Sequence, residues 1–131
     1  MKTLGYYNGK FDELDKMTIP FNDRVCFFGD GVYDAGPARH YHLFAIDEHI
    51  ERFFNSAALM DIEIPVTKEE LKNLLQEMVN KMDTGDNFVY WACSRGTGIR
   101  NHVYEKGPGN LWIMIKPDKL NDCQKPIKCI T

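Results

Sequence analysis

Phe88-Val89-Tyr90-Trp91-Ala92-Cys93-Ser94 is a nearly unbroken apolar run rich in aromatic and β-branched residues, and Leu111-Trp112-Ile113-Met114-Ile115-Lys116 is a second. Runs of this length read as strands, and apolar residues on both faces put them at the centre of a sheet with both faces covered. Between them lies Arg95-Gly96-Thr97-Gly98-Ile99-Arg100-Asn101-His102-Val103-Tyr104-Glu105-Lys106-Gly107-Pro108-Gly109. This loop is too long and too cationic for a plain hairpin connection. Arg100 and His102 are two apart, so an extended backbone projects both to one side. A guanidinium fork beside an imidazole donor suits a carboxylate; a solvated loop with scattered charge accounts for the same residues equally well.

Upstream, Thr67 and Glu70 form a capping box, with Val66 and Leu71 placed as a hydrophobic staple. Leu71, Leu74, Leu75, Met78, Val79 and Met82 continue the helical stripe, and Gly85 is a natural stop. Before the Ile64-Pro65 break, Asp47 is placed to cap a helix that runs to about Met60. Its stripe is Ile50, Phe53, Phe54, Ala57 and Ala58, and His49, Arg52 and Ser56 follow the border of that stripe. On its residues alone, Arg52 reads as the partner of Glu48 in an i, i+4 surface pair.

Leu4 to Lys10 and Phe11 to Met17 read as a hairpin turned at Asn8-Gly9. In Arg24-Val25-Cys26-Phe27-Phe28-Gly29-Asp30-Gly31-Val32-Tyr33-Asp34, two glycines flank an aspartate able to bond back to backbone N–H groups, and an extended run follows. Tyr33 alone reads as a core aromatic, or as a tyrosine delivered to a ligand by a rigid turn. Gly36-Pro37 marks an edge or bent strand, His40-Tyr41-His42 a turn, and Leu43 to Ile46 a short strand. Ile127 to Thr131 alternates like the start of a further strand, as though the chain were cut inside it. The fold class expected is α+β: a mainly antiparallel sheet with two α-helices on one face. Residues 1–120 form a small domain, and 121–131 form a connector with the start of another.

The chain has 131 residues, 44% hydrophobic and 27% charged, with net charge −3, which fits one globular domain and gives no electrostatic case for nucleic acid. No run approaches a membrane span, and no signal peptide opens the chain. Cys26, Cys93, Cys123 and Cys129 form no C-x-x-C pair and read as reduced, mostly buried thiols of a cytoplasmic protein. A zinc site on His40 and His42 lacks a second pair of ligands.

Together, Phe28-Gly29-Asp30-Gly31-Val32-Tyr33, Asp47-Glu48-His49-Ile50-Glu51-Arg52 and Arg95-Gly96-Thr97-Gly98-Ile99-Arg100-Asn101-His102 resemble the N-terminal small domain of the class IV aminotransferases. These are the fold-type IV pyridoxal-phosphate enzymes, and the likeness is greatest to the D-amino-acid type. The resemblance implies that Arg52 binds the cofactor phosphate and that Tyr33 lines the substrate pocket. It also implies that Arg100 and His102 complete the grip on the substrate carboxylate from the other subunit of a homodimer. The substrates implied are a D-amino acid and a 2-oxo acid, with pyridoxal 5'-phosphate as cofactor. In that family the Schiff-base lysine falls shortly beyond Thr131, so no catalytic residue is assigned, and the chain alone is expected not to transaminate. Ala35-Gly36-Pro37 departs from the family's usual β-branched or charged strand, at positions the resemblance turns toward the substrate. Branched-chain aminotransferase and aminodeoxychorismate lyase share the fold. A non-catalytic domain that holds a small anion at Arg100 and His102 is the reading from another class.

Overall fold

The computed structural model describes residues 2–119 and 124–130. In order, the elements are β1 (Leu4–Tyr7), β2 (Lys10–Asp12), α1 (Arg24–Phe28), β3 (Gly31–Arg39), β4 (His42–Leu43), α2 (Ile46–Leu59), α3 (Lys68–Asn80), β5 (Asn87–Ser94) and β6 (Asn110–Pro117). A short 3-10 turn over Leu14–Lys16 follows β2. The strands form one antiparallel sheet in the order β2-β1-β6-β5-β3-β4, with the two apolar runs at its centre. The α+β expectation therefore holds.

The period-2 pattern fixes which side of each strand meets the helices. Val89, Trp91 and Cys93 of β5 face inward with Leu111, Ile113 and Ile115 of β6, against Ile50, Phe53, Leu71, Leu75 and Met78 of α2 and α3. The opposite face holds Tyr33, Tyr90 and Trp112; the first two rings stack with centroids 5.6 Å apart, and Tyr33 is 67% exposed. Centrality in the sheet thus does not bring cover on both faces: Tyr33 stacks on Tyr90 but stays largely exposed, and it is not a core aromatic.

The Asn8-Gly9 turn takes left-handed φ values of 43° and 93°, as a two-residue hairpin needs. Its second arm ends at Asp12, short of Met17, because the chain folds back to lay Met17 over Gly5; a Cβ on Gly5 would fall 2.3 Å from Met17 Cγ. The Thr67–Glu70 capping box forms in both directions. Asp47 does not cap α2: that position is Ala45 at φ 47°, with no side-chain bond. The chain enters the helix from a turn at Phe44–Ala45, just after Phe44 N donates back to Pro37 O of β3. Asp47 instead sits in the first turn and accepts a bond of 2.6 Å from Lys72 Nζ, tying α2 to α3.

Gly85 is not the stop of α3, which ends at Asn80. It lies under the His40–Tyr41 turn, where a Cβ would come within 2.8 Å of Tyr41 N. β3 runs unbroken through Gly36 and Pro37, and its outer edge meets β4 only at Ala38 and Arg39. Proline is tolerated there because no ladder partner needs its missing N–H. β4 is only His42–Leu43, shorter than expected.

Among the described residues, 126–130 pair with no strand, and Ile127 and Ile130 are exposed; alternation does not make a strand without a partner for its backbone groups. Among the cysteines only Cys93 is buried, and burial pushes its thiol up to about 12. Cys26 and Cys129 are exposed, and Cys123, with residues 121, 122 and 131 of the expected connector, lies outside the described residues. No helix among the described residues is long and apolar enough to cross a membrane, and none of their His, Cys, Asp and Glu groups could hold a metal ion.

Candidate functional site

The Arg95–Gly109 loop is fastened to the segment before β3. Asp23, fully buried, accepts 2.9 Å from Val25 N, 2.9 Å from Ser94 Oγ and 2.8 Å from Asn110 Nδ2. Ser94 and Asn110 are the last residue before the loop and the first after it, so one carboxylate closes the loop's two ends. Backbone bonds from Arg24 N to Gly96 O (2.9 Å) and from Gly98 N to Asn22 O (3.1 Å) extend the seam.

Gly29, at φ 62°, closes the short helix α1, which the sequence showed only as a turn. Asp30 does not fold back onto backbone N–H groups as expected. Its Oδ2 accepts from Arg24 Nε at 2.8 Å and Arg95 Nε at 2.9 Å, because two guanidiniums outcompete a peptide donor for a carboxylate. Burial alone would raise the Asp30 carboxyl; the two guanidiniums outweigh it and hold it below the ordinary carboxylate range. Arg95 also donates to Met60 O (2.7 Å) and Asp61 O (2.8 Å), carbonyls at the end of α2, and lies 3.7 Å from the Tyr104 ring centre. The loop, α1 and α2 therefore meet at one buried arginine.

Arg100 and His102 do not lie on a strand, yet the structure brings them to one ring. Arg100 Cζ is 4.9 Å from the Phe28 ring centre, and the His102 ring centre is 5.7 Å from it. Arg24 Cζ approaches the same ring at 4.7 Å. Arg24 is bonded to Asp30 and, through Nη1, to Asn101 O at 2.6 Å. Both loop residues are exposed, and neither side chain makes a hydrogen bond to any described residue.

Arg52 pairs not with Glu48 but with Asp34, on the neighbouring strand. Arg52 Nε reaches Asp34 Oδ2 at 2.7 Å and Nη2 reaches Oδ1 at 2.7 Å, a bidentate fork. His49 Nδ1 donates to Oδ1 at 2.8 Å; the carboxylate can only accept, so Nδ1 carries a proton. Burial would raise the Asp34 carboxyl, but bonds from Arg52, His49 and Ala35 N outweigh it and hold it low. The Asp34 side chain is 1% exposed, whereas that of Arg52 is 66% exposed. The result is a guanidinium fixed on one side with its Nη1 edge turned to solvent. Tyr33, on the other face of the same strand, lies close enough for its phenol to contribute to the electrostatics of Arg52.

Asp34 was not legible as a site residue, since nothing local links it to Arg52. Gly36 faces the helices, not the open side: a Cβ there would fall 3.1 Å from His49 Nε2. Of the Ala35-Gly36-Pro37 departure, only Ala35 and Pro37 share the face of Tyr33. Of the sequence-expected residues, Arg100 and His102 thus gather at Phe28, Arg52 is held at Asp34 and Tyr33 stacks on Tyr90, and no hydrogen bond, ion pair or ring contact joins these three places among the described residues.

Residues 31–129 match the family model described as amino-transferase class IV. The D-alanine aminotransferase of Bacillus licheniformis is 36% identical over 107 residues, covering 82% of this chain and 37% of the relative. That of Listeria monocytogenes is 41% identical over 106 residues, covering 79% and 35%. The chain therefore spans little more than a third of the length of these relatives. The T.th. branched-chain amino acid aminotransferase complexed with N-(5'-phosphopyridoxyl)-L-glutamate superposes with a TM-score of 0.79 at 21% identity, covering 87% of this chain and 40% of that one. The branched-chain aminotransferase of Escherichia coli gives 0.79 at 15% identity, covering 89% and 41%.

Proposed function

The chain belongs to the class IV aminotransferases, and on that premise we propose that it forms one wall of an active site that moves an amino group from a D-amino acid to a 2-oxo acid. The observation that carries this is the Arg52–Asp34 fork, which leaves Nη1 of a fixed cation without a hydrogen-bond partner among the described residues. That donor set fits a phosphate dianion, which needs a guanidinium held in place rather than a mobile point charge. Arg52 would hold the cofactor phosphate, and His49 and Asp34 would hold Arg52. Pyridoxal phosphate, when bound, supplies the carbonyl that takes up the amino group and the electron-poor ring that stabilises the charge left on the substrate carbon.

Tyr33 would present its phenol to the substrate. Arg100 and His102, with unengaged donors on a fastened loop, would grip the α-carboxylate. No described contact joins them to Arg52, and in a homodimer each loop would serve the neighbouring site. The chain has no lysine in the family's D-I-K-like setting: Lys116, Lys119, Lys125 and Lys128 lie outside it. The 131-residue chain by itself is therefore expected to hold cofactor weakly and not to transaminate.

The D-amino-acid reading rests on the D-alanine aminotransferase relatives and on the Arg100-x-His102 pair. A branched-chain or lyase specificity is the alternative. Turnover of D-alanine against L-leucine by the whole protein, with 2-oxoglutarate as acceptor, separates them. Transfer from D-alanine supports the proposal, and transfer from L-leucine alone overturns it.

A further inference from the structure

We propose that Phe28 is the positioning residue of the carboxylate grip. The proposal rests on the reading of Arg100 and His102 given above and goes one residue beyond it. An arginine meant to bind an anion faces a conflict: the bonds that fix a guanidinium use up the donors that the anion needs. Arg24 and Arg95 show the usual outcome, since each is fixed by Asp30 and by backbone carbonyls. Arg100 is fixed differently. Its guanidinium lies 4.9 Å from the Phe28 ring centre and makes no hydrogen bond to a described residue. A ring face orients a cation through its quadrupole and takes up no N–H donor. His102, 5.7 Å from the same ring, is oriented by the same side chain. Phe28 is itself contacted by Arg24, which Asp30 and Asn101 O lock at 4.7 Å from the ring. The ring is 36% exposed, so its place on α1 is not set by burial in the core.

The test compares Phe28→Leu with Phe28→Trp in the whole protein; the exposed position accommodates both without disturbing the core. Loss of the ring face is expected to raise KM for D-alanine and for 2-oxoglutarate roughly five- to thirtyfold, with kcat changed less than about threefold. Phe28→Trp is expected to restore KM to within about threefold of the wild type. The Arg100 Nε–H proton resonance gives a reading independent of turnover: it is shifted by the ring current in the wild type and in Phe28→Trp, and returns to the free-arginine position in Phe28→Leu. Absence of turnover in the wild type would remove the proposed function but leave this resonance test standing. A Phe28→Leu protein with unchanged KM, or an Arg100 resonance that does not respond to loss of the ring, overturns the proposal.

Discussion

Asp34 and Arg52 lie on different elements, strand β3 and helix α2, and meet through two parallel bonds of 2.7 Å. The carboxylate is buried and the guanidinium is largely exposed, so the acid acts as a foundation for a cation that faces outward. Arg52→Lys keeps the charge but cannot make the fork. Pyridoxal-phosphate affinity of the whole protein, read by cofactor absorbance on dialysis, should fall roughly tenfold. Asp34→Asn should weaken it similarly while leaving Arg52 in place. Unchanged affinity in both variants would show that the fork has no part in holding the phosphate.

Acid should weaken the fold through the same carboxylates. Asp30 and Asp34 are both pushed up by burial and brought down further by their guanidinium partners, so their native values lie below the ordinary carboxylate value. Between the two values the unfolded chain binds more protons, and stability rises with pH there. Each contribution is complete above the ordinary value and is lost as pH falls through the native one. The urea midpoint should hold nearly level down to about pH 5 and then drop below roughly pH 4. Asp30→Asn should flatten that drop, and an identical acid slope in the variant would refute the assignment.

Gly36→Ala tests the packing beneath His49. The new Cβ would sit 3.1 Å from Nε2 and 3.2 Å from Cδ2, so the imidazole must give by a few tenths of an ångström. Destabilisation of about 1–2 kcal/mol is expected in chemical denaturation, together with weaker cofactor binding, because His49 holds Asp34. Ala35→Gly, on the opposite face, should leave cofactor affinity unaltered.

The loop seam makes a separate prediction. Asp23→Ala removes the acceptor for Val25 N, Ser94 Oγ and Asn110 Nδ2 at once. A loss of about 2–4 kcal/mol is expected, with faster amide exchange at Gly96 and Gly98 and little change in the α3 amides. Uniform acceleration through α3 would mean that Asp23 supports the whole fold rather than the loop.

What the sequence made legible follows from the range of the forces involved. The Thr67–Glu70 box, the Asn8-Gly9 turn and the two central strands are decided within a few residues, and each was readable. The Asp34–Arg52 and Asp30–Arg95 pairings were not, since the partners lie 18 and 65 residues apart and no local period links them. Asp47 was read as a cap from its residue type, but the tight turn at Phe44–Ala45 moved the helix start by tertiary geometry. Arg100 and His102 were read as neighbours on extended backbone; the ring that gathers them belongs to an element 72 residues upstream of Arg100, beyond the reach of any spacing argument. Tyr33 could not be told from a core aromatic until the pleat showed which face it takes.

The central claim is that one site takes Arg52 and Tyr33 from one copy and Arg100 and His102 from another. Mixing two inactive variants of the whole protein, Arg52→Ala and Arg100→Ala, under conditions where subunits exchange tests it most directly. In a hybrid dimer one site would then have both arginines intact and the other neither. Random mixing should restore about a quarter of wild-type transamination, since half the dimers are hybrid and half of their sites are whole. A mixture no more active than its separate components would place all four residues in a single copy's site and contradict the account.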